Sequence, residues 1–157
     1  MAKLDARRIY QEHLDSASQA AFRGDFEEFL KHVAIPSRVE MADREIVIST
    51  SEELELVMQD YALRLQAEGV ISERERCIEA TFVPNMPDMI AGTSLTEWTF
   101  ADGRPPRRFA NRIVLLRYPD GWKLMWLQSD LACEDLDMIS PEFAAAQASI
   151  LSSLRLQ

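Results

Sequence analysis

The chain has 157 residues, a formal net charge of −9, and a hydrophobic share just under one half, close to the globular average. The acidic balance argues against a nucleic-acid partner, which needs Lys and Arg gathered on one face, and against an anionic membrane surface. No apolar run reaches the ~20 residues that span a bilayer, and Met1–Arg8 lacks the apolar region of a secretory signal. Cys77 and Cys133 stand far apart with no C-x-x-C pairing. Free thiols in a reducing compartment follow, and the expected location is the cytoplasm.

Helical spacing of Tyr10, Leu14, Ala17 and Ala21 predicts a first helix from about Leu4 to Arg23, interrupted at Gly24. Asp25 with Glu28 forms a capping box for a short second helix presenting Phe26, Phe29, Leu30 and Val33, and Pro36 ends it. Ser37–Met41 and Glu45–Ser49 read as short strands. Thr50 with Glu53 opens a third helix whose stripe is Leu54, Val57, Met58, Tyr61 and Leu65, and Gly69 suits the left-handed position after it. From Val70 the period changes to that of strands: Val70–Val83, Met89–Phe100, Phe109–Tyr118 and Trp122–Ser129, separated by Pro/Asn/Asp/Gly turns too short for anything but antiparallel neighbours. An acidic segment with Glu134, Asp135 and Asp137 follows, then a C-terminal helix capped by Ser140. One domain over 1–157 is expected, with its main body at about 4–130 and an added C-terminal segment at 131–157.

This element order, with Phe22-Arg-Gly-Asp-Phe-Glu-Glu-Phe-Leu between the first two helices and Arg107–Leu124 carrying Asp-Gly-Trp before the last strand, resembles the nuclear transport factor 2-like superfamily, also called SnoaL-like. The resemblance implies an α+β cone: a curved, mixed, largely antiparallel sheet wrapped around the N-terminal helices, with an added C-terminal helix. It leaves function open, since that superfamily holds isomerases, dehydratases, hydrolases, cyclases, non-catalytic subunits and transport factors. Its steroid isomerases carry a carboxylate on the first short strand, a second acid on a late strand and a tyrosine on the first helix. Tyr10 fits the tyrosine, but Met41 stands at the carboxylate position beside Glu40. Asn111, Arg112 and Ile113 stand where the second acid would be, so the dyad is not reproduced.

Read from the residues, no pattern specifies one reaction. His13 and His32 belong to no metal motif, the five glycines form no phosphate loop, and neither cysteine has a histidine nearby in sequence. No metal and no cofactor are expected. Arg104, Arg107, Arg108 and Arg112 suit solvated strand ends better than an anion site, and Glu97 suits a solvated strand face. General acid–base chemistry in an apolar cone is the remaining enzymatic idea. His13 and Asn111 are its candidate catalytic groups, set against the plainer readings of a backbone-satisfied histidine and an amide bonded to a neighbouring strand. Tyr10, His13, Tyr61, Trp98, Asn111 and Trp126 are the candidate ligand-binding residues, although aromatic residues at such positions usually form core. The leading expectation is a small-molecule-binding protein with a largely apolar pocket, whether or not it works as an isomerase, dehydratase or cyclase. The alternative is a non-catalytic dimeric module with a filled cone. A homodimer through the open sheet face is expected in either case.

Overall fold

A computed structural model describes residues 5–130. The expected acidic segment, Cys133 and the C-terminal helix lie outside these residues. Helix α1 (Ala6–Arg23) starts where the Asp5 carboxylate accepts from the Arg7 N–H, and ends at Gly24 in the left-handed conformation. Its buried face keeps Tyr10, Leu14 and Ala21 of the predicted stripe and adds His13 and Ser18, while Ala17 is half-buried. In α2 (Phe26–Leu30) the Asp25 carboxylate accepts from the Glu28 N–H, as the capping box required. This helix is shorter than expected. Val33 belongs to strand β1 (Val33–Glu40), because Val33 to Ile35 is a β-type run, and Pro36 sits within the strand rather than closing the helix. Pro36 lies where the pairing register with β6 shifts between Val33 and Arg38, at a place where a missing N–H is tolerated.

Strand β2 (Glu45–Ile48) pairs back on β1, and the Thr50 hydroxyl caps α3 (Ser51–Ala67). The long strands follow as β3 (Val70–Val83), β4 (Met86–Phe100), β5 (Arg107–Tyr118) and β6 (Gly121–Ser129). The β3–β4 turn is tighter than Pro84–Asp88 suggests. Asn85 takes a positive φ of 64°, so two residues suffice and β4 begins at Met86. The six strands lie in the order β2-β1-β6-β5-β4-β3, antiparallel except for the parallel β1–β6 pair. The sheet is mixed, curved and unclosed, and α1 lies across its β3 arm.

Two features set the inner face. In β3 the alternation presents Glu73, Glu75 and Cys77 inward, then a bulge between Cys77 and Glu79 resets the parity so that Ala80 is buried and Glu79 exposed. The Gln11 side chain holds this place, donating to the Glu75 carbonyl at 2.9 Å and accepting from the Cys77 N–H at 2.7 Å. In β4, Gly92 lies directly under Tyr10, which is buried among Leu14, Ile90, Ile113 and Leu115. A Cβ at Gly92 would sit 2.6 Å from Tyr10 Cε2 and 2.8 Å from the Glu79 carbonyl oxygen, closer than atoms tolerate. Among the described residues no helix is long and apolar enough to cross a membrane.

The contact between Gly92 and Tyr10 gives a direct test of how α1 seats on the sheet. Gly92→Ala should destabilise the protein by about 1–3 kcal/mol, the usual cost of overpacking. Chemical denaturation should show the loss, and an unchanged midpoint would mean that α1 is not held this closely.

Candidate functional site

Between α1, α3 and the concave face of the sheet lies a cavity of about 190 Å³. Its walls are mostly hydrocarbon, from Leu14, Phe29, Ile48, Leu54, Met58 and Leu127 among others. The volume is below the ~300 Å³ at the low end of sites for drug-sized ligands, so its occupant would be compact. The polar groups on the lining are few: His13, Ser18, Ser37, Tyr61, Glu73, Glu75, Asn111 and Ser129. No Lys or Arg is among them.

Two of these are carboxylic acids on one face of β3. Glu73 is buried and accepts three hydrogen bonds from three different elements. Trp98 of β4 donates through Nε1 at 2.6 Å, Ser18 of α1 donates at 3.1 Å, and the Tyr61 hydroxyl of α3 donates to the same oxygen as Trp98. Burial pushes the Glu73 carboxyl up from its ordinary range, and the three donors pull against that rise. Burial also holds the Tyr61 hydroxyl protonated, well above its usual range, and the negative charge of Glu73 adds to the effect.

Glu75, two residues along, is held differently. Thr96 Oγ1 donates to it at 3.1 Å and in turn accepts from Asn111 Nδ2 at 2.6 Å, so a polar chain runs across β5, β4 and β3. Burial first, and the neighbouring Glu73 charge second, push the Glu75 carboxyl up to about 8, against the opposing hydrogen bond of Thr96. Two carboxyls this close titrate as a pair. The three donors to Glu73 favour its ionised form, whereas Glu75 has fewer and feels the Glu73 charge, so of the two Glu75 is the one pushed toward holding a proton.

His13 lines the cavity, but its Nε2 lies 2.7 Å from the His32 carbonyl oxygen, which also accepts from the Leu124 N–H. A carbonyl only accepts, so Nε2 of His13 bears the hydrogen. Burial lowers the His13 pKa to about 4, and the ring is neutral at physiological pH. This is a histidine satisfied by backbone. Of the six candidate ligand-binding residues, the structure brings His13, Tyr61 and Asn111 to the cavity. Tyr10 packs in the core beyond it, its hydroxyl 3.5 Å from Ser94 Oγ. Trp98 stands behind Glu73, reaching the site through its indole N–H, with Phe109 against its ring. Trp126 faces the other way, where its Nε1 donates to Glu40 at 3.1 Å.

The acids weighed from the resemblance fall away from the cavity as well. Glu40 lies beside Arg38 and Trp126, whereas Met41 lines the cavity. Glu97 pairs with Arg108 at 2.6 Å on an outward position. Arg104 is engaged by Asp102 and Glu68 and stacks on Phe100, and Arg112 lies 3.6 Å from Asp130. Among the described residues no three His, Cys, Asp or Glu side chains are grouped to hold a metal ion. Glu73 and Glu75 were not among the sequence candidates. The signal for them is the period of Ser72-Glu-Arg-Glu-Arg-Cys, which places both acids with Cys77 on one face and both arginines on the other.

No family model matches the chain, and no curated protein matches it in sequence. Solved structures do match. A cystatin-like domain of unknown function from Nostoc punctiforme superposes with a TM-score of 0.64 at 13% identity, covering 99% of this chain and 100% of that one. A nuclear transport factor 2-like protein with a cystatin-like fold from Novosphingobium aromaticivorans gives 0.60 at 16% identity, covering 80% and 81%. A nuclear transport factor 2-like protein of unknown function from Shewanella oneidensis gives 0.60 at 10% identity, covering 78% and 97%. Identities this low speak for architecture and leave chemistry to the site. The chain has the nuclear transport factor 2-like, cystatin-like cone fold.

Proposed function

We propose that the chain binds a compact, largely apolar molecule in the cone and that Glu75 exchanges a proton with it. The observation that carries this reading is the pair Glu73–Glu75. One carboxyl is saturated with donors from three elements, and the other has a pKa near 8 at the wall of a hydrocarbon cavity. A proton donor or acceptor works best when its pKa lies near the working pH, and a buried carboxyl reaches that range only in such surroundings. Glu75 gives its proton to a ligand oxygen, or takes one from carbon beside a carbonyl once ionised. The chain from Asn111 through Thr96 fixes its orientation. Isomerisation or dehydration of a small ketone or alcohol uses such a group. The open cavity speaks against the alternative of an association module with a filled cone. The homodimer remains a separate proposal, for which sedimentation is the measure.

The function is tested with cyclohexanone and 2-cyclohexenone as compact carbonyl probes. Ligand-induced rise in Tm reports binding, and NMR in D2O reports exchange of the protons beside the carbonyl. Exchange should rise with pH to half its maximum near 8 and be lost in Glu75→Gln, while the rise in Tm persists. Exchange that survives in Glu75→Gln would remove Glu75 from the role.

A second prediction concerns stability alone. An unfolded glutamate has a pKa of about 4.5, while folded Glu75 holds its proton to about 8. Between these values the folded state binds more protons than the unfolded one, so stability falls as pH rises across the window. The Tm should therefore drop from pH 7 to pH 9 in the wild type, a range above both the folded and the ordinary pKa of His13. Glu75→Gln should drop less and be the more stable form at pH 9, with Glu73 supplying the residual slope. Parallel slopes for the two proteins would show that Glu75 is not protonated in the fold.

A further inference from the structure

On the opposite arm of the curved sheet from Glu75, β1 turns Ser37 inward with Val33 and Val39, and these three line the cavity together with Met41 just past the strand. Ser37 is 4% exposed, and among the described residues no group forms a hydrogen bond with its hydroxyl. Among the described residues it is the one buried side-chain polar atom in this condition. Burying a hydroxyl without a partner is unfavourable, and a strand position facing hydrocarbon would be filled as well by Ala or Val. The neighbours of Ser37 across the strand pair, Ile48 and the residues around it, offer no side-chain partner. Among the described residues no side chain completes it, and Ser37 lines the cavity.

The charge on the walls narrows what that occupant can be. Glu73 and Glu75 are acids and no described lining residue is a cation, so an anionic ligand would enter unpaired beside a carboxylate. From these observations we infer that Ser37 is a second anchor for the ligand of this site. The ligand is an uncharged molecule with an oxygen at each end of a short hydrocarbon body, one placed at Glu75 and the other at Ser37. This rests on the reading of Glu75 as the proton-exchanging group and adds the substrate class to it.

The probes are cyclohexanones bearing a hydroxyl, hydroxymethyl or hydroxyethyl arm at carbon 4, each paired with the alkyl twin in which methyl replaces the hydroxyl. The body stays constant while the second oxygen is moved along the span. In the wild-type protein at least one hydroxylated probe should bind about five- to tenfold tighter than its twin, the gain of about one hydrogen bond. Ser37→Ala and Ser37→Cys should both reduce that preference to less than twofold, leaving the affinity for the alkyl twin unchanged. Neither variant should lower the Tm of the ligand-free protein, since no protein contact of the hydroxyl is lost. The 4-oxocyclohexanecarboxylate anion should not bind. If every pair binds equally, if the preference survives in both Ser37 variants, or if the anion binds best, the second anchor is refuted while the role of Glu75 stands on its own exchange test. If no cyclohexanone of either kind binds, the proton-transfer reading falls and takes this inference with it.

Discussion

Glu73 is the tie on which the inner structure depends. A carboxylate taken out of water costs several kcal/mol unless its oxygens are satisfied, and here the satisfaction comes from α1, α3 and β4 together. Ser18, Tyr61 and Trp98 are therefore fixed by one acceptor group on β3, and the two long helices are set against the sheet at the level of that group. The packing of Leu65, Val70 and Trp98 fills the space behind it. What remains in front is the cavity. The arrangement puts the strongest polar constraint of the interior at the wall of its emptiest part.

The same tie explains the different state of its neighbour. Glu75 shares the burial of Glu73 without sharing its three donors, and it feels the Glu73 charge as well. Two chemically identical side chains two residues apart are thereby pushed toward different protonation states by their surroundings alone. That division of labour requires the donors to be distributed unevenly. Glu73 takes Ser18 and Tyr61 from the helices and Trp98 from β4, whereas Glu75 depends on Thr96 in β4 and, beyond it, Asn111.

Much of the fold was legible in the sequence because its signals are local. The Asp25 and Thr50 caps, the helical stripes and the period of the long strands each depend on a few neighbouring residues. The end of α2 was not, since Val33 fits a helical stripe and a strand equally well. The site was half legible. His13 and Asn111 stand out as polar groups in apolar runs and Tyr61 as an aromatic on the α3 stripe, and all three lie at the cavity. Glu73 and Glu75 are hidden in an alternation of acids and arginines that has the composition of a solvated strand. Only the face shared with Cys77 marks them, and choosing that face takes knowledge of where α1 lies. Trp126 shows the converse: an aromatic on a late strand has no local signal for the side of the sheet it occupies.

Strand β3 carries acids at 73, 75 and 79, and strict alternation from 75 would bring 79 inward as well. The extra residue after Cys77 prevents this by shifting the phase of the strand once, midway along its length. One strand thereby serves two solvents in succession, with acid groups in the half beside the cavity and small apolar side chains in the half beneath Tyr10. The placement of a single backbone irregularity, and not the choice of side chains alone, sets how many acidic groups the interior contains. A family of chains sharing this sheet can thus gain or lose an interior acid by moving a bulge, with no acidic residue added to or removed from the sequence.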